Sequence, residues 1–133
     1  MFKVSKMLDL LKKPATWLGI LLLASFATIS LARQPGIDAI PDKARIVDVR
    51  TPAEFRSGHF PGAVNIPLAD IRSRLDEFGG RDQAIVVYCR SGSRSSVAKG
   101  WLDAAGYKRV FNGGGLNAMM RLASSPNGAR SGR

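Results

Sequence analysis

The chain has 133 residues, of which 45% are apolar, so it is long enough for one domain with a substantial core and too short for two. Lysine and arginine outnumber aspartate and glutamate by 20 to 10, which favours an anionic partner or a membrane surface. The single cysteine excludes an internal disulfide and a cysteine-rich zinc site.

The first 32 residues have the layout of an export signal. Four lysines precede an uncharged run from Ala15 to Ala32, and Ser30 and Ala32 place small residues where a signal peptidase would cut, before Arg33. An uncleaved membrane anchor is the alternative, because the run is long enough to span most of a bilayer. Both interpretations send the rest of the chain to the periplasm or another exported location. Membrane contact is then expected only through residues 1–32, if they remain attached.

The remaining sequence predicts one domain at residues 40–123, between a linker at 33–39 and a flexible basic tail at 124–133. The domain opens with a β-branched strand at 45–50, "RIVDVR". A helix should follow, with Thr51 as its N-cap, Pro52 in its first position and Glu54 completing a capping box. A brief strand is expected at Ala63–Ile66.

Strands and helices continue to alternate in the second half of the domain. Apolar residues at spacings of 3, 4 and 3 predict an amphipathic helix over Pro67–Phe78. The run "AIVVY" predicts a buried strand, and a helix is expected from Ser96 to Ala105, with Gly106 as its C-cap. Its inward side chains should be Val97, Trp101, Leu102 and Ala105. A last strand, "RVFN", precedes a final helix. This alternation predicts an α/β fold: a small parallel β-sheet flanked by helices on both faces.

The only cysteine, Cys89, stands where the most apolar strand gives way to the loop "RSGSRS". Ligands of parallel sheets bind beyond the carboxyl ends of the strands. Gly92 allows the loop to curl so that its N–H groups point inward, and the following helix directs its positive end at the sulfur. Arg90 and Arg94 add full positive charges. These features favour a thiolate, the nucleophilic form of cysteine, over a buried packing residue.

Two stretches resemble a known family. "DVRTPAEFRSGHFPGAVNIPL" is similar to the D-x-R-x-x-x-E-[FY]…G-H-[IF]-P-G-A-x-N signature of single-domain rhodaneses, the thiosulfate sulfurtransferases. "IVVYCRSGSRS" resembles their C-R-x-G-x-R active loop. The resemblance covers about residues 36–122, and the N-terminal segment and "NGGGLNAM" are similar to the periplasmic phage shock protein E type. Many relatives have tryptophan about where Met119 stands, which the resemblance places in one pocket wall.

The resemblance implies that Cys89 takes a sulfane sulfur from a small anionic donor such as thiosulfate and passes it, as a persulfide, to cyanide or a thiol. It implies that the active loop binds the substrate, through Arg90, Ser91, Gly92, Ser93, Arg94 and Ser95. No metal or organic cofactor is required. A monomer is expected, and nucleic-acid binding is not, because the arginines form no stripe interleaved with aromatic residues.

Three other features receive structural interpretations. Asp48 and Arg50 end a strand at the active-site edge and are expected to support the loop as an ion pair. His59, the only histidine, is expected to make a structural hydrogen bond rather than to act as a general base. Gly113-Gly114-Gly115 lacks the Gly-Lys-Ser/Thr continuation of a phosphate loop and predicts a tight turn.

Two other functions remain open at this stage. Cysteine phosphatases and arsenate reductases use C-x5-R loops, whereas here the arginine comes five positions after the cysteine and Ser95 occupies the sixth. A shorter loop encloses less volume, which favours a single sulfur over a tetrahedral oxyanion. A non-catalytic persulfide carrier or sensor would keep the same residues.

Overall fold

The computed structural model describes residues 36–126, which all belong to one compact unit. At its centre lies a four-stranded parallel sheet in the order β2-β1-β3-β4. The strands are β1 (Arg45–Asp48), β2 (Val64–Asn65), β3 (Ile85–Cys89) and β4 (Val110–Gly115). The predicted parallel α/β architecture is therefore confirmed.

Helices cover both faces of the sheet. Successive side chains of β3 point to opposite faces, so Ile85, Val87 and Cys89 join one apolar cluster while Val86 and Tyr88 join the other. The first cluster also contains buried residues of α2 (Ser93–Ala104), and the second contains residues of α3 (Leu116–Ser124). Every residue of β3 is buried, as expected of a central strand covered on both sides.

The short helix α1 (Pro52–Arg56) begins as its sequence predicts. Thr51 is the N-cap, and its side chain accepts a hydrogen bond from the Glu54 backbone N–H at 3.3 Å. The Glu54 carboxylate in turn accepts from the Thr51 backbone N–H at 3.0 Å, which completes the capping box. This box fixes the position of Glu54 at the start of the helix.

The prediction of an amphipathic α-helix over Pro67–Phe78 is wrong. Two short 3₁₀ helices, Leu68–Ser73 and Leu75–Phe78, occupy that segment, separated by Arg74 in a non-helical conformation. Residues three apart share a face in a 3₁₀ helix as well, so the apolar spacing does not distinguish the two forms. The spacing still identifies the inward face, because Ile71 and Phe78 are buried.

Helix α2 begins at Ser93, three residues earlier than predicted, and so takes in half of the cysteine loop. Its C-terminal end has the predicted glycine signal: Gly106 has a φ of +93°, and the N–H groups of Gly106 and Tyr107 bond to the carbonyls of Asp103 and Leu102. Leu102 is buried, but Val97 is 44% exposed, so its predicted inward orientation is wrong.

Strand β4 runs through all three glycines, so the predicted tight turn there is also wrong. Glycine is needed at two of these positions because other atoms approach closely. A β-carbon on Gly113 would overlap Met119 Sδ, and one on Gly115 would overlap the Arg90 carbonyl oxygen. The absence of side chains thus lets the end of β4 lie against the cysteine loop, where Gly115 pairs with Cys89.

Several predictions concern residues outside the described range. The export signal at residues 1–32 and most of the predicted tail lie there, and these remain predictions.

Part of the segment predicted as a linker lies within the described range. Ile37, in that segment, packs with Ile40 against the second apolar cluster. Between residues 36 and 126, no helix has both the length and the apolar character needed to cross a bilayer.

Candidate active site

Cys89 is the last residue of β3 rather than the first residue after it, and its exposed fraction is 0%. Its position at the carboxyl end of a central strand is where sequence reasoning expected a ligand site. The backbone N–H of Gly92 donates a hydrogen bond to Cys89 Sγ at 3.0 Å, and the Ser95 hydroxyl lies 3.6 Å from the same sulfur. Gly92 adopts a φ of +98°, which turns the chain so that its N–H faces the sulfur.

Opposing effects act on the pKa of Cys89. Burial raises it, whereas hydrogen bonds from the Ser95 side chain and from the backbones of Ser95, Ser91 and Gly92 lower it. The hydrogen bonds prevail, and the pKa of Cys89 lies below its ordinary value. A group of donors therefore favours the thiolate.

A polar network that the sequence did not reveal holds the loop from behind. The buried Ser95 hydroxyl lies 2.7 Å from Asn112 Oδ1, which also accepts the backbone N–H of Gly114 at 2.9 Å. Asn112 Nδ2 donates to the Gly92 carbonyl at 3.2 Å. One side chain from β4 thus fixes both residues that hold the sulfur. The only sequence signal was an asparagine at a strand exit before glycines.

Sequence reasoning expected Arg94 to offer a free positive charge. In the structure its charge is paired with a carboxylate. Its two terminal nitrogens donate to the two carboxylate oxygens of Glu54 at 2.8 and 2.9 Å. These bonds are the largest cause of a raised pKa for Arg94, and the charge of Cys89 makes a smaller contribution. The 40-residue separation of Glu54 and Arg94 hid this pair from sequence reasoning.

Arg90 is solvent-exposed. It is the next residue after the strand, and its carbonyl faces Gly115. Ser91 and Ser93 are exposed as well, with their hydroxyl oxygens 3.3 Å apart. Of the six predicted loop residues, Gly92 and Ser95 make the contacts to the sulfur given above, and the Ser91 backbone adds to them. The side chains of the remaining residues face solvent or neighbouring elements.

Asp48 and Arg50 form the expected ion pair. Arg50 donates to both oxygens of the fully buried Asp48 carboxylate, at 2.6 to 3.0 Å, and to the Gly58 carbonyl at 2.7 Å. The hydroxyl of Tyr88, the residue before the cysteine, donates to Asp48 Oδ2 at 2.7 Å. Burial and the Asp48 charge raise the pKa of Tyr88 far above its ordinary value, so it remains a donor. The pair supports β1, β3 and the segment after α1.

His59 makes the structural contacts that sequence reasoning favoured. It is exposed, its Nδ1 lies 2.9 Å from the Phe55 carbonyl oxygen, and its ring stacks on the Phe55 ring at 3.7 Å. Between residues 36 and 126, no three histidine, cysteine or carboxylate side chains are grouped as a metal site would require.

A pocket of about 290 Å³ opens beside the loop, lined by Arg50, Glu54, Ser57, Arg90, Leu116 and Asn117. Met119 is fully buried in the second apolar cluster and is not among the residues that line this pocket. The first turn of α3 contributes Leu116 and Asn117 instead.

Comparisons with known proteins agree with this geometry. A family model described as a rhodanese-like domain matches residues 36–121. The chain is 44% identical to a sulfurtransferase of Allochromatium vinosum over 77 residues, which cover 57% of this chain and 71% of that protein. It is 38% identical to the thiosulfate sulfurtransferase PspE of Escherichia coli, over 53% of this chain and 68% of that protein. A solved structure described as a rhodanese with anions from E. coli aligns with a TM-score of 0.54 at 36% identity, over 56% of this chain and 89% of that one.

Proposed function

The chain belongs to the rhodanese-like domain family and is a sulfurtransferase, and we propose that it transfers a sulfane sulfur from a thiosulfate-like donor to cyanide or a thiol through a persulfide on Cys89. The observation that carries the proposal is the pair of donors on Cys89 Sγ, the Gly92 N–H at 3.0 Å and the Ser95 hydroxyl at 3.6 Å. They favour a sulfur anion at the end of a buried strand.

In the first step, the Cys89 thiolate attacks the outer sulfur of the donor. A sulfur–sulfur bond forms to Cys89, the donor's own sulfur–sulfur bond breaks, and its electron pair leaves with sulfite when the donor is thiosulfate. Cys89 then carries a persulfide anion. The loop amides from Arg90 to Ser95 stabilise this anion as an oxyanion hole stabilises developing charge.

In the second step, cyanide or a thiolate attacks the outer persulfide sulfur. The new bond forms to the acceptor, the persulfide bond breaks, and the electron pair returns to Cys89 as the thiolate. Cyanide gives thiocyanate, and a thiolate gives a new persulfide. The two half-reactions use the same sulfur in turn, which predicts ping-pong kinetics.

The cysteine phosphatase alternative lacks its arginine. The position that such a loop gives to a phosphate-binding arginine is occupied by Ser95, whose hydroxyl is directed at Cys89 and Asn112. The nearest arginine, Arg94, is bonded to Glu54. These contacts support sulfur chemistry over phosphoryl chemistry.

Steady-state assays with thiosulfate and cyanide test the proposal. The protein is expected to release thiocyanate over many turnovers with ping-pong kinetics and to hydrolyse aryl phosphates no faster than buffer. Persulfide formation without turnover would indicate a carrier instead, and aryl phosphate hydrolysis without thiocyanate would contradict the proposal.

We also propose that the protein is exported. The export proposal is based on the uncharged run Ala15–Ala32 and the lysines before it. N-terminal sequencing is expected to show that the mature protein begins near Arg33. Retention of Met1 on a membrane-bound product would show an anchor instead.

A further inference from the structure

Charge around the pocket that Arg90, the residue after Cys89, helps to line is largely neutralised by carboxylates. Arg50 is bonded to Asp48, and Arg94 is bonded through both terminal nitrogens to Glu54. Among the residues that line the pocket, Arg90 is the one cation without a carboxylate partner in the described part of the chain. Before the charge of the Cys89 thiolate is counted, the three arginines and two carboxylates therefore sum to one positive charge.

Glu54 is fixed in place at the pocket. Its carboxylate accepts hydrogen bonds from Arg94 and from the backbone N–H and the hydroxyl of Thr51. The pKa of Glu54 is lowered, chiefly by the Arg94 hydrogen bonds and then by the Thr51 backbone N–H, so the side chain stays anionic at neutral pH. It lines the same pocket as Arg90 and the apolar Leu116.

We propose that Glu54 determines which donors the pocket accepts: by neutralising Arg94, it leaves a site suited to monoanionic sulfane donors with an organic group, such as thiosulfonates, over the thiosulfate dianion. One unpaired cation, Arg90, matches one negative charge, whereas a second charge on the donor would face the Glu54 carboxylate. Leu116 provides an apolar contact for the organic group. This inference rests on the proposed function.

The chemistry with a thiosulfonate follows the first step given above. The Cys89 thiolate attacks the terminal sulfur, the new bond forms to Cys89, and the donor's sulfur–sulfur bond breaks. The electron pair leaves with the sulfinate, so atoms and charge balance without a further reactant. Sulfite is replaced by an organic sulfinate, and the persulfide is the same.

Glu54→Gln tests the proposal, with benzenethiosulfonate and thiosulfate as donors and cyanide as acceptor. Glutamine preserves the capping box while removing the charge that neutralises Arg94. The kcat/KM for thiosulfate is expected to rise about three- to tenfold relative to that for benzenethiosulfonate, because the added net positive charge attracts a dianion more strongly. The readout is the ratio of the two kcat/KM values in the variant compared with the same ratio in the wild type. The absolute values for the two donors are not compared, because sulfite and benzenesulfinate differ as leaving groups.

Glu77→Gln is the matched control. It removes the same charge from an exposed ion pair with Arg74, in the second 3₁₀ helix. The ratio of the two kcat/KM values is expected to equal that of the wild type. An unchanged ratio in Glu54→Gln, or an equal change in both variants, would overturn the proposal.

Arg90→Gln provides an independent measurement, because an exposed side chain can be replaced without risk to the fold. KM is expected to rise for both anionic donors. Arg109, an exposed residue that precedes β4 at the opposite end of the sheet, is the control, and Arg109→Gln should leave both KM values unchanged. Equal KM values in Arg90→Gln and the wild type would contradict the role of Arg90.

Failure of this inference can be distinguished from failure of the proposed function. If the wild-type protein forms no persulfide with either donor, the proposed function itself fails. If persulfide forms but the ratio of the two kcat/KM values does not respond to Glu54→Gln, only this inference fails.

Discussion

The sulfur of Cys89 is controlled by a serine hydroxyl that has only one proton to donate. The Ser95 oxygen lies near three acceptors: Asn112 Oδ1 at 2.7 Å, the Gly92 carbonyl at 3.1 Å and Cys89 Sγ at 3.6 Å. The shortest contact is with Asn112, which holds the hydroxyl within 3.6 Å of the sulfur. From that position the hydroxyl can turn and donate to the sulfur when the thiol loses its proton. Asn112 therefore positions a donor that becomes useful as the nucleophile forms.

Ser95→Ala is expected to raise the pKa of Cys89, because the thiolate loses a hydrogen bond while its burial remains. A larger fraction of the sulfur would then be protonated at neutral pH, and persulfide formation would slow. The ultraviolet absorbance of the thiolate as a function of pH measures this directly, since the chain has one cysteine. Ser73→Ala, which removes an exposed hydroxyl bonded to the Asp70 carbonyl, is the control. A titration curve of Ser95→Ala identical to the wild-type curve would contradict the role of Ser95.

Strand β4 and the cysteine loop fit together only because Gly115 has no side chain. Its backbone is extended, with a φ of −94°, so alanine would suit the conformation, but a β-carbon would overlap the Arg90 carbonyl oxygen. Gly115→Ala is therefore expected to displace the loop and to reduce the rate of persulfide formation. Gly100→Ala is the matched control, because nothing lies within 4 Å of the added carbon. In helix α2 that change should stabilise the protein by about 0.5–1 kcal/mol, as measured by urea unfolding. Equal persulfide rates in the two variants would show that the close approach has no effect on the site.

The elements that the sequence predicted correctly are those with local causes. Thr51, Pro52 and Glu54 lie within one helical turn, and Gly106 ends α2 through its own conformation. The segment Pro67–Phe78 was misassigned because its apolar spacing fits both helix types. The Glu54–Arg94 pair and the Ser95–Asn112 contact join residues 40 and 17 positions apart, and no local pattern encodes either. The position of Cys89 followed from its strand, whereas the groups that control its charge depended on tertiary structure.

The buried Asp48 carboxylate links distant parts of the molecule. It bonds to Arg50 beyond β1 and to Tyr88 in β3, and Tyr88 in turn accepts the backbone N–H of Phe60 at 2.9 Å. Asp48→Asn would leave the Arg50 guanidinium without its counter-charge in a site where it is 7% exposed. The free energy of unfolding is expected to fall by about 3–5 kcal/mol.

Urea unfolding measures this loss, with Asp103→Asn as the control. That change breaks the exposed ion pair of Lys99 and Asp103 in α2, which should cost less than about 1 kcal/mol. Equal losses in the two variants would show that the Asp48 network contributes no more than a surface ion pair.

The central claim, that Cys89 carries the transferred sulfur, is tested most directly by intact-mass spectrometry of the protein after treatment with thiosulfate or a thiosulfonate. The wild type is expected to gain the mass of one sulfur atom and to lose it when cyanide is added, with one equivalent of thiocyanate released. Cys89→Ser should gain no mass, because an alcohol is a far poorer nucleophile at neutral pH. An unchanged wild-type mass with both donors, or the same gain in Cys89→Ser, would contradict the account.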